Sequence, residues 1–176
     1  MPGGLLRCKN RFDFMKKSEK GLYKMKILVF SDSHHALAGM YAAIEAQQPD
    51  QVIHLGDMVR DAEEVAYAYP QLPFCLVPGN CDGWTPLPAK KRITLGGKVL
   101  LLSHGHLWGV KGGYERAIAD ARAAGADILL FGHTHQACCQ QLEDGLWMLN
   151  PGASRSSFGL IQIEDGAISC SILPVP

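Results

Sequence analysis

At 176 residues the chain has room for one domain of ordinary size, and a second is not expected. Apolar residues make up 47% and charged residues 19%, which excludes general disorder, and no apolar run approaches the roughly 18–20 residues of a membrane span. The formal net charge is zero, from 17 basic and 17 acidic residues, so overall charge draws the chain to neither nucleic acid nor an anionic membrane.

That zero conceals an uneven distribution. Residues 1–24 hold Arg7, Lys9, Arg11, Lys16, Lys17, Lys20 and Lys24 against Asp13 and Glu19, a net of +5, which leaves −5 for residues 25–176. All seven histidines follow residue 24. The basic segment lacks the apolar stretch of roughly 7–15 residues that a secretory signal needs, and Met25 opens the first well-patterned strand. Residues 1–24 therefore read as a basic extension, an upstream start or a loosely ordered tail, ahead of a single domain over 25–176. A charge of +5 confined to that segment is a weak basis for nucleic-acid binding. The six cysteines contain no C-x-x-C spacing, which points to reduced thiols and a cytoplasmic protein.

In chain order, 26–30 predicts a strand, 36–48 a helix stopped by Pro49, 51–55 a strand, 61–69 a helix stopped by Pro70, and 74–77 a strand. Next come a hairpin, 91–95 with 98–102 about Gly96-Gly97, a helix over 114–124 ending at Gly125, and a strand over 127–131. Four more strands, 137–142, 146–149, 159–164 and 167–173, include two pairs turned at Asp144-Gly145 and Asp165-Gly166 and are expected to run antiparallel to their neighbours. The apolar runs at 26–30, 51–55, 74–77, 98–102 and 127–131 do not alternate, as suits strands buried on both faces. The expected fold class is mixed α/β (α+β), two stacked mixed β-sheets flanked by helices.

Chemistry-bearing residues follow those five runs: Ser31-Asp32-Ser33-His34, Gly56-Asp57, Gly79-Asn80-Cys81-Asp82, Ser103-His104-Gly105-His106 and Gly132-His133-Thr134-His135. Side chains gathered at strand ends along one sheet edge sit on rigid supports, and glycines let the backbone turn tightly beneath them. Asp32, His34, Asp57, Asn80, His104, His133 and His135 offer carboxylate, amide and imidazole donors, which suit a borderline-hard divalent cation rather than a cysteine-rich zinc site. Seven donors are too many for one ion with open positions and fit two ions sharing a carboxylate, about 3.5–4 Å apart. Taken singly, Asp32 or Asp57 also fits a helix N-cap.

Asp-x-His, Gly-Asp, Gly-Asn-x-Asp, His-Gly-His and Gly-His-Thr-His, in this order, resemble the calcineurin-like metallophosphoesterase superfamily, in particular its small single-domain bacterial and archaeal phosphodiesterases. Asn150-Pro151-Gly152, ahead of Ser154 and Arg155, resembles a turn of the same subgroup. The resemblance spans Met25 to the C-terminus and implies a four-layer sandwich. It implies that Asp32, His34 and His135 hold one metal and Asn80, His104 and His133 the other, with Asp57 bridging. The cofactors implied are two divalent ions, manganese first, with nickel, zinc, iron or cobalt also compatible. Such a site would retain about +2 after its two carboxylates, an anion trap, and a hydroxide bridging the metals would attack phosphorus.

The expected activity is therefore divalent-metal-dependent hydrolysis of a small-molecule phosphodiester. Cys81 stands where many superfamily members carry histidine near the leaving group, a feature shared with the small subgroup, so activated diesters are expected to outrank unactivated monoesters. Of the neighbouring residues, Asp57 and Asn80 are assigned to the catalytic centre, His106 is a candidate proton donor or support for the ligands, and Cys81 a candidate modulator. The alternative is a non-catalytic protein-interaction scaffold of the same fold, as implied by the retromer subunit that resembles this family; the seven filled positions favour the enzyme. A homo-oligomer is compatible with the sequence. His54 reads as a core residue, His35 as exposed or capping, Asp82 as a turn residue, Arg60 and Arg155 as solvated before phosphate-binding, Cys138 and Cys139 as core, and Trp84 and Trp108 as either stacking surfaces or pocket walls.

Overall fold

Two parallel βαβ crossovers open the fold of this computed structural model, which describes residues 24–176. Apart from Lys24, the basic extension lies outside the described residues. Strands β1 (Lys24–Phe30), β2 (Gln51–His54) and β3 (Phe74–Leu76) run parallel, joined by α1 (Leu37–Gln47) and α2 (Val59–Ala68). The register Val29↔Ile53 and Ile53↔Cys75 aligns their ends, so the loops after the three strands leave one edge together.

The second sheet begins with the hairpin β4 (Lys90–Leu95) and β5 (Lys98–Ser103), crosses through α3 (Glu115–Ala123) to β6 (Ile128–Leu130), and then takes β7 (Cys138–Gln141) and β8 (Trp147–Asn150). Strands β9 (Ser157–Glu164) and β10 (Ala167–Pro174) return to the first sheet. The spatial orders are β10-β9-β1-β2-β3 and β4-β5-β6-β8-β7, two five-stranded mixed sheets. One expectation needs correcting: β8 is antiparallel to β7 but parallel to β6, pairing Leu129 with Met148. Met148 and Leu149 are fully buried whereas Gln140 and Gln141 are exposed, so the apolar strand takes the inner position and the polar one the edge.

Alternation along the strands divides the core into three seams. Ile27, Val29, Ile53 and Leu55 of the first sheet meet Leu100, Leu102, Ile128 and Leu130 of the second. Leu28, Phe30, Val52 and Leu76 point the other way, onto Met40, Ala43 and Ile44 of α1 and Ala62 and Val65 of α2. Leu101, Leu129 and Met148 cover Ala117 and Ala121 of α3, with Trp108 and Val110 beside them. The result is a four-layer α/β/β/α sandwich. Each buried Leu, Ile or Val stabilises it by about 1.5–3 kcal/mol, which fixes the two sheet edges against each other. Among the described residues, no helix is long and apolar enough to cross a membrane.

Candidate metal centre

Each chemistry-bearing loop leaves the end of a buried parallel strand: Asp32 follows β1, Asp57 β2, Asn80 β3, His104 β5 and His133 β6. The two sheets thus contribute to one place. Asp32, Asp57 and His104 are buried, His133 is half-buried, and His34, Asn80 and His135 are exposed, so a floor of buried donors opens onto solvent-facing ones.

The donor atoms fall into two sets. Atoms of Asp32, His34, Asp57 and His135 lie within 4.8 Å of one another, as do atoms of Asp57, His104 and His133, so Asp57 belongs to both. Asp32 Oδ2 accepts from the Ser31 hydroxyl and from the His133 N–H at 3.1 Å. Asp32 Oδ1 is buried without a hydrogen bond among the described residues, although it lies 3.0 Å from His135 Nε2 and 3.9 Å from His104 Nε2. The Leu55 carbonyl, 2.8 Å from His104 Nδ1, can only accept, so Nδ1 carries a proton and Nε2 faces inward, where it holds a proton or offers its lone pair to a metal. That Nε2 stands 3.2 Å from His133 Nδ1 and 3.4 Å from Asp57 Oδ1. Electron pairs facing one another in a buried space are costly unless a cation lies among them, so the donor set fits divalent metal.

The backbone is bent to make this convergence. Asp32, His34, Asp57, His133 and His135 all have left-handed φ, at 53°, 40°, 57°, 67° and 59°. Asp and His tolerate that region better than most residues, yet each instance costs about 1–3 kcal/mol. The helices do not use the two aspartates as caps: α1 starts from Ala36 and α2 from Met58, neither with a side-chain cap bond.

Several contacts hold the strain in place. The Asp82 carboxylate accepts from the N–H groups of Asp57 (2.9 Å), Gly79 (2.7 Å) and Val59 (2.7 Å), tying the loop after β3 to the loop after β2. Cys81 N–H donates to Asp57 Oδ1 at 2.9 Å. A Cβ at Gly79 would collide with Asp57 Oδ1, and one at Gly132 with Ser31 Oγ, so both loops need glycine for close approach. Asn150 donates to the Gly132 carbonyl and Thr134 Oγ1 at 3.0 and 2.9 Å, bracing the Gly-His-Thr-His loop.

Burial opposes the charge on Asp57, but hydrogen bonds from His104 and the Cys81 N–H outweigh it and hold the carboxyl well below the usual range. Burial likewise opposes a charged His104, yet Asp57 and the charge of Asp32 raise its pKa. The paired carboxylates thus draw positive charge onto His104. Burial and the nearby His104 lower the pKa of His133 and His106. Burial, aided by the nearby His104 and against the charges of Asp82, Asp32 and Asp61, drives His54 down to about 4, and its Nδ1 accepts the Gly56 N–H at 3.2 Å, beneath the Gly56-Asp57 turn.

The remaining expected residues are distributed around this centre. His106 has a buried Nδ1 without a hydrogen bond among the described residues and a ring centroid 5.5 Å from that of His104. The Asn80 amide donates to Cys81 Sγ at 3.4 Å, on the exposed side of its loop. Asp82 is the turn residue expected, though its reach into a second loop was not. Trp108 is buried with its indole N–H on Asp120 at 2.9 Å, so it is no stacking surface, whereas Trp84 is 92% exposed. Cys138 and Cys139 pack on opposite sides of β7, as strand alternation requires. Arg60 is exposed on α2. Missed from sequence was Asp61, buried in the first turn of α2, which accepts from Ser33 Oγ (2.7 Å) and His35 N–H (2.8 Å) and so steadies the Asp32–His34 loop. An acidic residue in a helix's first turn was the only signal for it, and that is commonplace.

Residues 25–164 match the model of the calcineurin-like phosphoesterase superfamily domain. The chain is 31% identical over 153 residues to a probable metallophosphoesterase, YsnB of Bacillus subtilis, covering 81% of this chain and 87% of that one. Its fold is similar to that of a conserved uncharacterized protein, a predicted phosphoesterase, from Streptococcus pneumoniae (TM-score 0.70, 24% identity, 86% of this chain and 90% of that one). It is also similar to wild-type Vps29 complexed with zinc from Entamoeba histolytica (TM-score 0.67, 21% identity, 86% and 100%). The last two likenesses concern fold alone. With the family match covering most of the domain, the chain belongs to the calcineurin-like phosphoesterase superfamily.

Proposed function

We propose that this protein is a divalent-metal-dependent phosphodiesterase acting on small-molecule phosphodiesters. The observation that carries this is the pair of donor sets meeting at Asp57, with the Asp32 Oδ1 lone pairs left without a hydrogen-bond donor among the described residues. Asp32, His34 and His135 would hold one ion, Asn80, His104 and His133 the other, and Asp57 would be shared. A pair of divalent ions, when bound, supplies Lewis acidity toward phosphoryl oxygens and lowers the pKa of water toward neutrality. Manganese is the first candidate, with nickel, zinc, iron and cobalt compatible with the same donors.

The chain's own residues shape the rest. His104 is oriented by the Leu55 carbonyl, and Asp57 is kept ionised by His104 and the Cys81 N–H. Neither neighbour keeps a readily donated proton for a leaving group: Asp57 pushes the Cys81 thiol up and makes it a weaker acid, while burial and the nearby His104 lower the pKa of His106 and so favour its unprotonated form. Substrates whose leaving group departs unprotonated are therefore favoured, meaning activated diesters over unactivated monoesters. The exposed His34, Asn80 and His135 supply the open side through which a small substrate enters. The functional unit is the domain over 25–176, and the thiols of Cys81, Cys138, Cys139 and Cys170, which form no disulfide among the described residues, support a reducing, cytoplasmic setting.

A non-catalytic scaffold draws support from the fold likeness to Vps29, but it gives no reason for five strained donor residues facing one point. The test is hydrolysis of an aryl phosphodiester by the manganese-supplemented full chain and by Asp57→Ala and His133→Ala. Wild-type turnover lost in both variants is the expected result; variants as fast as wild type would overturn the proposal.

A further inference from the structure

The loop between β8 and β9 presents Arg155 to solvent, and its guanidinium forms no ion pair with another described residue. Together with Asp32, His34 and His135 it lines a cavity of ≈ 140 Å³. This is well below the roughly 300–1,000 Å³ of a drug-sized pocket, so it suits a group the size of a phosphoryl.

The arginine's attachment is rigid. Ser154 and Ser31, immediately before Arg155 and Asp32, are both buried. Ser31 N–H donates to Ser154 Oγ at 3.2 Å, while the Ser154 hydroxyl and N–H both donate to the Ser31 carbonyl, at 2.7 and 3.0 Å. This reciprocal clasp joins residues 123 positions apart and sets Arg155 in fixed register with Asp32. Asp32 does not neutralise it: Oδ2 is taken by Ser31 and His133, and Oδ1 lies toward His135 and His104. A buried clasp thus anchors the backbone that carries Arg155, whose guanidinium has no ion pair among the described residues, beside the donor cluster.

We propose that Arg155 binds the phosphoryl group itself, its forked N–H donors engaging non-bridging phosphate oxygens from the His34–His135 side of the centre. This deepens the phosphodiesterase reading and rests on it for the identity of the substrate. The ligand class it specifies is an anionic phosphoester or the phosphate derived from one, and neutral triesters are poor ligands because they lack the charge.

The test uses the manganese-supplemented full chain, with steady-state kinetics on an aryl phosphodiester and calorimetric binding of inorganic phosphate. Arg155→Met should raise KM and weaken phosphate binding by roughly 10- to 100-fold, as expected for loss of hydrogen bonds to a charged group, with a smaller effect on kcat. Arg155→Lys should recover part of the loss, since it restores a point charge without the fork. Melting temperature and metal content should match wild type, and Arg116→Ala, an exposed arginine on α3, should change neither constant. Wild-type KM and phosphate affinity in Arg155→Met overturn the proposal, as does a loss of bound metal that accounts for the change. If wild type turns over no diester yet binds phosphate through Arg155, the phosphodiesterase reading fails and the phosphate site stands. If it neither turns over nor binds phosphate, both fail.

Discussion

Asp32 Oδ1 lies 3.0 Å from His135 Nε2, buried, with no hydrogen bond between them. A carboxylate oxygen so placed gains little from the protein and much from a cation. Manganese should therefore stabilise the chelated protein by about 2.7 kcal/mol at 100 times its Kd, a rise of about 5–10 °C in Tm for a domain of this size. Differential scanning fluorimetry with and without chelator measures it, and Asp32→Ala should remove most of the rise.

Asp57 belongs to both donor sets, whereas His34 and His135 belong to one. Asp57→Ala should lower the bound metal at both positions and reduce turnover by more than about 100-fold. His135→Ala should weaken one ion and spare the other. Metal analysis after gel filtration separates the patterns: equal losses in the two variants would show that Asp57 is not shared.

The Asp82 carboxylate collects the N–H groups of Asp57, Val59 and Gly79. Removing it in Asp82→Ala should destabilise the domain by about 2–3 kcal/mol, since hydrogen bonds to charged groups are being broken, and should lower kcat by loosening Asp57. Asp82→Asn should fall between, because its amide oxygen still accepts. Urea denaturation checks the first effect, and kinetics at saturating manganese the second.

How much of this was readable from sequence depends on distance along the chain. Phe30 followed by Asp32-Ser33-His34, and Phe131 followed by His133-Thr134-His135, announce buried strands ending in polar donors because apolar run and donor are neighbours. The four layers follow from the same runs. The parallel pairing of β8 with β6 was not readable, since local alternation cannot say whether Met148 or Gln140 faces the inner strand. The Ser31–Ser154 clasp and the bond from Ser33 to Asp61 were equally hidden: serine beside a functional aspartate is ordinary, and only folding brings the partners together.

His54 titrates in the folded chain at about 4, against an ordinary value of 6.5, because burial disfavours its charged form. Between those values the unfolded chain binds a proton that the folded one refuses, so stability rises with pH. The contribution is fully present above about pH 6.5 and diminishes as pH falls toward 4, by about 3 kcal/mol in total. Urea denaturation of chelated protein from pH 4 to 7 should show this slope, and His54→Asn, which has no titrating group, should flatten it. An unchanged slope in the variant would assign the acid sensitivity elsewhere.

The central claim, hydrolysis at a two-metal centre sharing Asp57, is tested most directly by titrating manganese into chelated full-length protein while following aryl phosphodiester turnover. Activity should begin from none, rise with added ion and saturate at two equivalents per chain. Turnover that persists in chelator, or none with manganese, nickel, zinc, iron or cobalt at any loading, would contradict it.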